Sequence, residues 1–527
     1  MGLRTGAVII AQGIKLDKSY KNVLSYTESK MLSLVNNKKV AESHNCSFIR
    51  VGDNVIDTDF SYNDALKCNY IALQNPNYSN KWFFGFIDSV EYISNGNARI
   101  HYTIDEFSTW NSYWHTKPCF VIREHTNNDT LGANTVDEGL ETGEYISIAY
   151  LRDSNLRADK IKVVMASTGV PAISGSISKS AGAVYNGVYS GIRYYRFDTA
   201  PILSRAIDHM TVENAQDGIT ALFIAPEFLV PYDTGEGGSY YGAIKQGSSA
   251  QTYDLGVTPI SNLGGGYVPR NRKLLTYPYC YFLGSNGSNS TAIYRQELFD
   301  SHDSAGDCVF RVYGSLTPGC SIMMLPVNYK GITENYDEAL ILGKFPQCNW
   351  TTDMYTAWMT QNGLNSMLSM ESDAVSLGTN IASGNLGGGL SSMNSIFNSM
   401  YQRHLASKMP PQMKGNINSG DVATSRGENC FHITKKVIRE EYARQIDDFF
   451  SKYGYKINRI KTPNQTGRAN WNFVQIGSEE NIGYSTDANR SVPASSMEVI
   501  NNIYRNGVTI WHDHEKLGDY SLSNNII

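Results

Sequence analysis

The sequence predicts a mainly β protein with minor α structure, on three observations. Tyr (34) and Gly (46) are abundant among 527 residues, as strands joined by tight turns require. Charged residues make up 18%, below the usual quarter or so. From Val8 to about Tyr150, short aromatic runs alternate with turn residues. The plainest case is Trp82-Phe83-Phe84-Gly85-Phe86-Ile87, then the turn Asn95-Gly96-Asn97, then Ala98 to Ile104, which is the pattern of a hairpin. The chain is too long for one core, and about two to four domains are expected.

In order along the chain, residues 1–150 read as a β domain with one or two short helices, such as Asn63 to Leu73. Residues 151–270 are rich in Ser, Gly and Ala and read as a peripheral domain, with a helix from Ala200 to Met210. Its polar loops at Thr234–Gly238 and Gly264–Gly266 read as surface insertions. Strands resume at Lys273 to Leu283 and continue to about Pro346, so 271–353 is expected to be the first part of a second β domain. After an interrupting segment at 354–415, residues 416–527 are expected to complete that domain. There Val437, Ile438, Tyr442, Ile446, Phe449, Phe450 and Tyr453 recur at helical spacing, with Gly454 as a stop. Strands follow at Tyr455–Ile460 and Trp471–Ile476, linked through Pro463-Asn464.

The interrupting segment is unlike the rest. Between Met354 and Gln402 only Glu371 and Asp373 are charged, and eight of the fifteen Met lie between 354 and 413. Ala374, Val375, Leu377 and Ile381 fit one helical face, and so do Leu390, Met393, Phe397 and Met400. Gly384 and Gly387-Gly388-Gly389 stand between them, so a hairpin of two short amphipathic helices is expected, closed by Pro410-Pro411 and Gly415. A single copy does not suit a bilayer, because its Ser and Asn groups would lie unpaired in hydrocarbon. A ring of copies would turn those groups into a shared aqueous lumen. The bland alternative is a disordered loop or an extra packing layer.

The net charge of −5 argues against a surface that grips nucleic acid, which needs an excess of Lys and Arg, but not against a passage through which DNA slides. The eight Cys show no metal-finger spacing and read as free thiols. The N-terminal apolar run, Ala7 to Ala11, is too short for a secretory signal, Gly6 stands where a myristoylation motif wants Ser or Thr, and no run of about eighteen apolar residues marks an ordinary transmembrane helix. His512-Asp513-His514-Glu515 puts two imidazoles two residues apart, but no third metal ligand is identifiable and a structural role is favoured. Asp105-Glu106 offers paired carboxylates, yet adjacent strand residues point to opposite faces, which favours caps or surface charges. Leu386-Gly387-Gly388-Gly389 lacks the preceding strand and following Lys of a phosphate loop. No catalytic set, metal or cofactor is expected.

Several strings read together carry a resemblance. They are Asp105 to Thr109-Trp110, Arg123-Glu124-His125 with Asp129-Thr130 and Asn134-Thr135, and Lys273 to Cys280. The fullest runs from Glu441-Tyr442-Ala443 through Ile446-Asp447, Phe449-Phe450-Ser451, Tyr453-Gly454-Tyr455, Asn458, Lys461, Pro463-Asn464 and Arg468 to Trp471-Asn472-Phe473-Val474. On these the chain resembles the tail knob, or distal tail tube, proteins of small short-tailed phages of the Picovirinae type, with 151–270 the weakest part.

The resemblance implies a homohexameric tube of tail-tube-type β-barrel domains at the end of the tail, around a channel for the genome. Its partners would be an upper tail or collar (connector) protein, a tail-tip protein that degrades cell wall, the viral double-stranded DNA in transit and the host cytoplasmic membrane. It also implies that a long hydrophobic loop plugs the tube and then forms a membrane conduit. Here that loop corresponds to 354–415, with Met354, Trp358, Met359, Leu364, Met367, Leu368, Met370, Val375, Leu377, Ile381, Leu386, Leu390, Met393, Ile396, Phe397 and Met400 as its apolar surface. Gly384, Gly387, Gly388 and Gly389 would be its flexible tip. Two other readings stand beside this one: a structural adaptor or receptor-binding spike without membrane activity, and a tail-tip cell-wall hydrolase using Asp105, Glu106 or the His512–Glu515 cluster.

Overall fold

A computed structural model describes residues 6–349 and 430–527, apart from 49–53, 76–77, 157–159, 173, 180–182, 186–187, 199, 232–241, 244–250, 287–290, 301–306, 317–319, 332–339, 343–346, 478–481 and 485–491. The loop residues expected at 354–415, Gly384 and Gly387–Gly389 included, lie outside the described residues. The chain forms two compact units: 1–141 with 269–274 and 441–527, and 142–268 with 275–440.

The first unit is built on a seven-stranded antiparallel sheet. Its strand order is Lys39–Ser43, Val8–Ala11, Tyr70–Asn75, Lys81–Ser94, Asn97–Ile104, Val55–Thr58 and Ser47–Phe48. The alternation of side chains divides the strands Val8–Ala11 and Tyr70–Asn75 between two cores. Val8, Ile10, Ile71, Leu73 and Ile100 enter one, while Ile9, Ala11, Tyr70, Ala72 and Phe84 enter the other, so both faces are covered. The expected hairpin is present, with Lys81–Ser94 paired to Asn97–Ile104.

The second core is closed by Trp471 and Trp511, which belong to a five-stranded sheet ordered Asn22–Leu24, Val508–Trp511, Trp471–Ile476, Cys119–Glu124 and Tyr455–Lys461. The other face of that sheet carries Val121, Val474, Ile476, Val508 and Ile510. Helix Ala494–Asn506 covers them with Met497, Ile500, Ile503 and Tyr504, spaced for one helical face.

This sheet explains why the units divide the chain otherwise than the sequence boundaries do. Cys119–Glu124 is paired on one side to Tyr455–Lys461 and on the other to Trp471–Ile476, so 441–527 folds with 1–141 and 269–274 rather than with 275–353. Backbone donors and acceptors must find partners wherever the chain supplies them, and here they lie more than 300 residues away.

The second unit contains three larger antiparallel sheets. One is ordered Tyr145–Arg152, His432–Ile438, Cys280–Ser285 and Thr291–Tyr294; another joins Gly242–Ala243, Arg193–Phe197, Ile161–Ser167, Ile219–Pro226 and Gln347–Asn349; the third joins Gln251–Val257, Cys308–Ser315, Ser321–Pro326 and Leu340–Leu342. Its helix Ala200–Val212 matches the expected one.

Four local expectations are corrected. Residues 63–73 split into a short helix, Tyr62–Ala65, and the strand Tyr70–Asn75, whose residues reach both cores by alternation. The strand expected from Lys273 begins only at Cys280, after a helical turn at Arg272–Leu275 and a cis Tyr277–Pro278 bond, because proline offers no ladder donor. Val437 and Ile438 end a strand, and the helix runs Glu440–Tyr453. Gly264 is buried rather than part of a surface insertion, since a β-carbon there would stand 2.9 Å from the Ile438 carbonyl oxygen.

Candidate functional site

Several of the residues that carry the resemblance converge on a polar clasp in the first unit, centred on the segment after strand Cys119–Glu124. Glu124 is fully buried. Its carboxylate is paired with the Lys461 ammonium and accepts the Asn464 amide N–H at 2.7 Å, while Asn464 Nδ2 donates to the His125 carbonyl at 2.8 Å. The expected Pro463-Asn464 link is thus a hydrogen-bonded turn against Glu124-His125.

The His125 imidazole is enclosed. Nδ1 accepts the Phe473 N–H at 2.8 Å and Nε2 donates to the Ser451 carbonyl at 3.1 Å, which also receives Trp471 Nε1 at 3.2 Å. That pattern requires the neutral ring, and burial together with the Arg468 charge pushes its pKa down to about 3.

The segment beyond it has no regular structure and is held by side chains. Asp129 accepts the Tyr455 hydroxyl at 2.5 Å and the Arg272 N–H at 3.2 Å. Burial raises the Asp129 pKa in spite of these bonds. Glu138 pairs with both Arg123 and Lys273 and accepts the Lys456 N–H at 2.9 Å. On helix Glu440–Tyr453, buried Asp447 accepts the N–H groups of Arg270 (2.9 Å) and Asn271 (3.1 Å) and the Asn271 side-chain amide (2.7 Å). Glu138, Asn271 and Lys273 were missed in the sequence as parts of one cluster. Only their burial reveals them, because each is an ordinary polar residue in its local context.

This arrangement does structural work. Every carboxylate in it is saturated by donors, and satisfied buried charge confers rigidity rather than reactivity.

The candidate catalytic residues are also built in. Asp105 caps the helix Glu106–Trp110 by accepting Ser108 N–H at 3.1 Å, and its other oxygen accepts the Tyr70 hydroxyl at 2.7 Å. At 1% exposure it is closed off from solvent, and burial raises its pKa. Glu106 accepts the Trp110 indole N–H at 3.0 Å. His512 is held between Ser25 Oγ (2.9 Å) and Asn472 Oδ1 (3.1 Å), and His514 between Lys15 N (3.1 Å) and Glu515 (3.1 Å). The two imidazoles therefore have separate partners. Among the described residues no group of three or more His, Cys, Asp or Glu is arranged to hold a metal, and no helix is long and apolar enough to cross a membrane.

The second unit offers a different feature. Tyr145–Arg152 is an edge strand among the described residues, uncharged until Arg152, and its residues 147–150 are exposed in succession, with Ile148 at 38% and Tyr150 at 61%. Charges or prolines usually blunt such edges, and this one carries neither along its first seven residues. The opposite edge, Thr291–Tyr294, exposes Ile293 at 45%.

Residues 244–525 match the family described as the C-terminal domain of the Bacillus phage phi29 tail knob protein gp9, and residues 4–115 match the caudoviral major tail protein N-terminus. The tail knob protein gp9 of Bacillus phage phi29 is 23% identical over an alignment of 600 positions covering 98% of each chain. That of Bacillus phage B103 is 24% identical with the same coverage. The solved structure of the bacteriophage C1 tail knob protein, gp12, superposes with a TM-score of 0.62 over 99% of this chain and 100% of that one; at 13% identity it speaks for the fold alone. With more than half of its residues inside the phi29 tail knob domain and a tail-tube-type N-terminal region before it, the chain belongs to the tail knob protein family of phi29-like phages and is a structural component of a phage tail.

Proposed function

We propose that the protein assembles head to tail into a six-membered ring, forming the distal tail tube that conducts the phage genome. The observation that carries ring assembly is the open four-stranded sheet of the second unit. Its three ladders are all antiparallel, so its two edge strands, Tyr145–Arg152 and Thr291–Tyr294, run in opposite directions. In a ring with rotational symmetry, one copy's 291–294 edge then meets the next copy's 145–152 edge antiparallel, and the alternation continues without a break. An even number of strands per copy permits this. The 145–152 edge, uncharged as far as Leu151 and exposed at 147–150, is suited to being covered in that way.

The loop at 354–415 is the proposed plug and conduit. Packed together in a lumen, six copies shield Met, Leu, Ile and Phe side chains from water at about 1.5–3 kcal/mol for each fully buried large residue, and lipid would shield them as well. The switch is a change of surroundings for one set of side chains, without a chemical step. A charge at the bilayer centre costs about 2.5–3.5 kcal/mol, which accounts for a span with only Glu371 and Asp373 between 354 and 402. The connector, the tail-tip cell-wall-degrading protein, the DNA in transit and the host membrane are the partners of this reading.

Dye release from liposomes by the purified protein tests it, with the 354–415 deletion as control and the mass of the assembly measured for both. Six-membered assemblies that release dye only with the loop present are expected. Equal release without the loop would leave an adaptor or spike as the better account.

A further inference from the structure

We propose that Cys430 is a reactive thiol, a modification site for small soft electrophiles and in particular for thiol–disulfide exchange with a low-molecular-weight disulfide. The proposal does not depend on the functional reading above. It rests on a cross-strand cluster at one end of the four-stranded sheet of the second unit. Arg152 lies opposite His432 in the ladder, period-two alternation puts Tyr150 on the same face as Arg152, and Cys430, just before the strand, has its sulfur in reach of both Arg152 and His432.

The geometry around the sulfur is that of an activated thiol. Arg152 Nε donates to Cys430 Sγ at 3.2 Å, and His432 Nε2 stands 3.3 Å from the same sulfur. Tyr150 stacks on the imidazole, with ring centroids 5.1 Å apart, and its hydroxyl is hydrogen-bonded to His432 Nδ1. With the Nδ1 proton donated to that hydroxyl, Nε2 is left to take the thiol proton. A guanidinium and an imidazole on one sulfur favour the thiolate, the nucleophilic form. Asp153, next to Arg152 in the chain, is engaged by the Tyr253 hydroxyl and by Asn155 N–H at 2.9 Å.

Five of the other thiols differ. Burial pushes Cys46, Cys68 and Cys119 up to about 11, with Asp59, Asp64 and Glu124 respectively adding to the rise, and it raises Cys280 and Cys320 as well. Cys430 is itself covered, while two of the side chains that touch it or its histidine, Arg152 and Tyr150, are exposed, and the proposal requires that their motion opens the sulfur.

In the exchange step the Cys430 proton passes to His432 Nε2 and Sγ attacks one sulfur of the disulfide. A new S–S bond forms as the old one breaks, and the leaving thiolate takes the proton back from the imidazolium. No further oxidant is required.

The test is alkylation of the full chain with iodoacetamide at about pH 6.5, well below the usual thiol pKa of about 8.5. Peptide mass spectrometry follows each of the eight cysteines, and glutathione disulfide serves as a second probe. Cys430 is expected to be modified at least about tenfold faster than any other thiol, with Arg152→Gln slowing it about tenfold, Arg152→Lys restoring part of the rate, and His432→Gln moving the pH inflection upward. Modification no faster than at Cys46, or rates and inflections unchanged in both Arg152→Gln and His432→Gln, would overturn the proposal. Should a variant fail to fold, the wild-type profile decides, an inflection at about 8.5 or above counting against it.

Discussion

Gly454 packs so closely on Glu124 that a β-carbon at position 454 would stand 2.2 Å from the Glu124 carbonyl oxygen, and its φ of +66° lies in the left-handed region. Two constraints thus meet at one residue: helix Glu440–Tyr453 must end there, and the backbone must touch the strand Cys119–Glu124. Gly454→Ala is expected to destabilise the protein by more than about 2 kcal/mol, since the clash is with backbone that no rotamer can relieve. Chemical denaturation of the two proteins measures it.

His125 predicts an acid-dependent loss of stability. Its folded pKa lies at about 3, below the unfolded value of about 6.5, so the unfolded chain binds the proton more readily. The neutral-ring contribution is full above about pH 6.5 and declines as pH falls from there towards 3, by at most about 1.4 kcal/mol per unit. His125→Gln is expected to lower stability at neutral pH and to flatten this part of the profile. A variant as steep as the wild type between those values would assign the slope to other groups.

Asp447→Ala would leave the N–H groups of Arg270 and Asn271 and the Asn271 amide without their acceptor. Each unsatisfied buried group costs about 1–3 kcal/mol, so a loss of about 3 kcal/mol or more is expected in thermal or denaturant unfolding.

Ile148→Lys puts a charge on the exposed edge strand of the second unit. Monomer stability should change by no more than about 0.5 kcal/mol, because the position is on the surface. Ring assembly, followed by mass measurement across a concentration series, should weaken by at least about tenfold, as a charge on an edge opposes strand pairing.

Leu390→Asp and Phe397→Asp address the loop. Assembly mass should match the wild type while liposome dye release is lost, since each added charge costs about 2.5–3.5 kcal/mol in the bilayer.

Local features were legible from the residues. The Asn95-Gly96 hairpin, the Asp105 cap, the helix from Ala200 and the strands from Tyr455 and Trp471 all follow from turn chemistry, side-chain competition for backbone N–H groups and periodicity within about a dozen positions. Reading failed where a local pattern had two meanings. The continuous apolar run Tyr70–Leu73 fits a buried helix segment as readily as a strand buried on both sides, and the sheet around it decided for the strand.

The sequence by itself determined a β-rich chain, the type and place of the hairpin, helix and strands just named, and the near-absence of charge between 354 and 402. Only the tertiary structure decided that Cys119–Glu124 joins Tyr455–Lys461 and Trp471–Ile476, that Glu138 lies between Arg123 and Lys273, and that Arg152 reaches Cys430. The reason is physical. Turn, cap and period preferences act between near neighbours, whereas strand pairing and the burial of charge are settled by which distant segments offer matching hydrogen bonds once loop closure has brought them together.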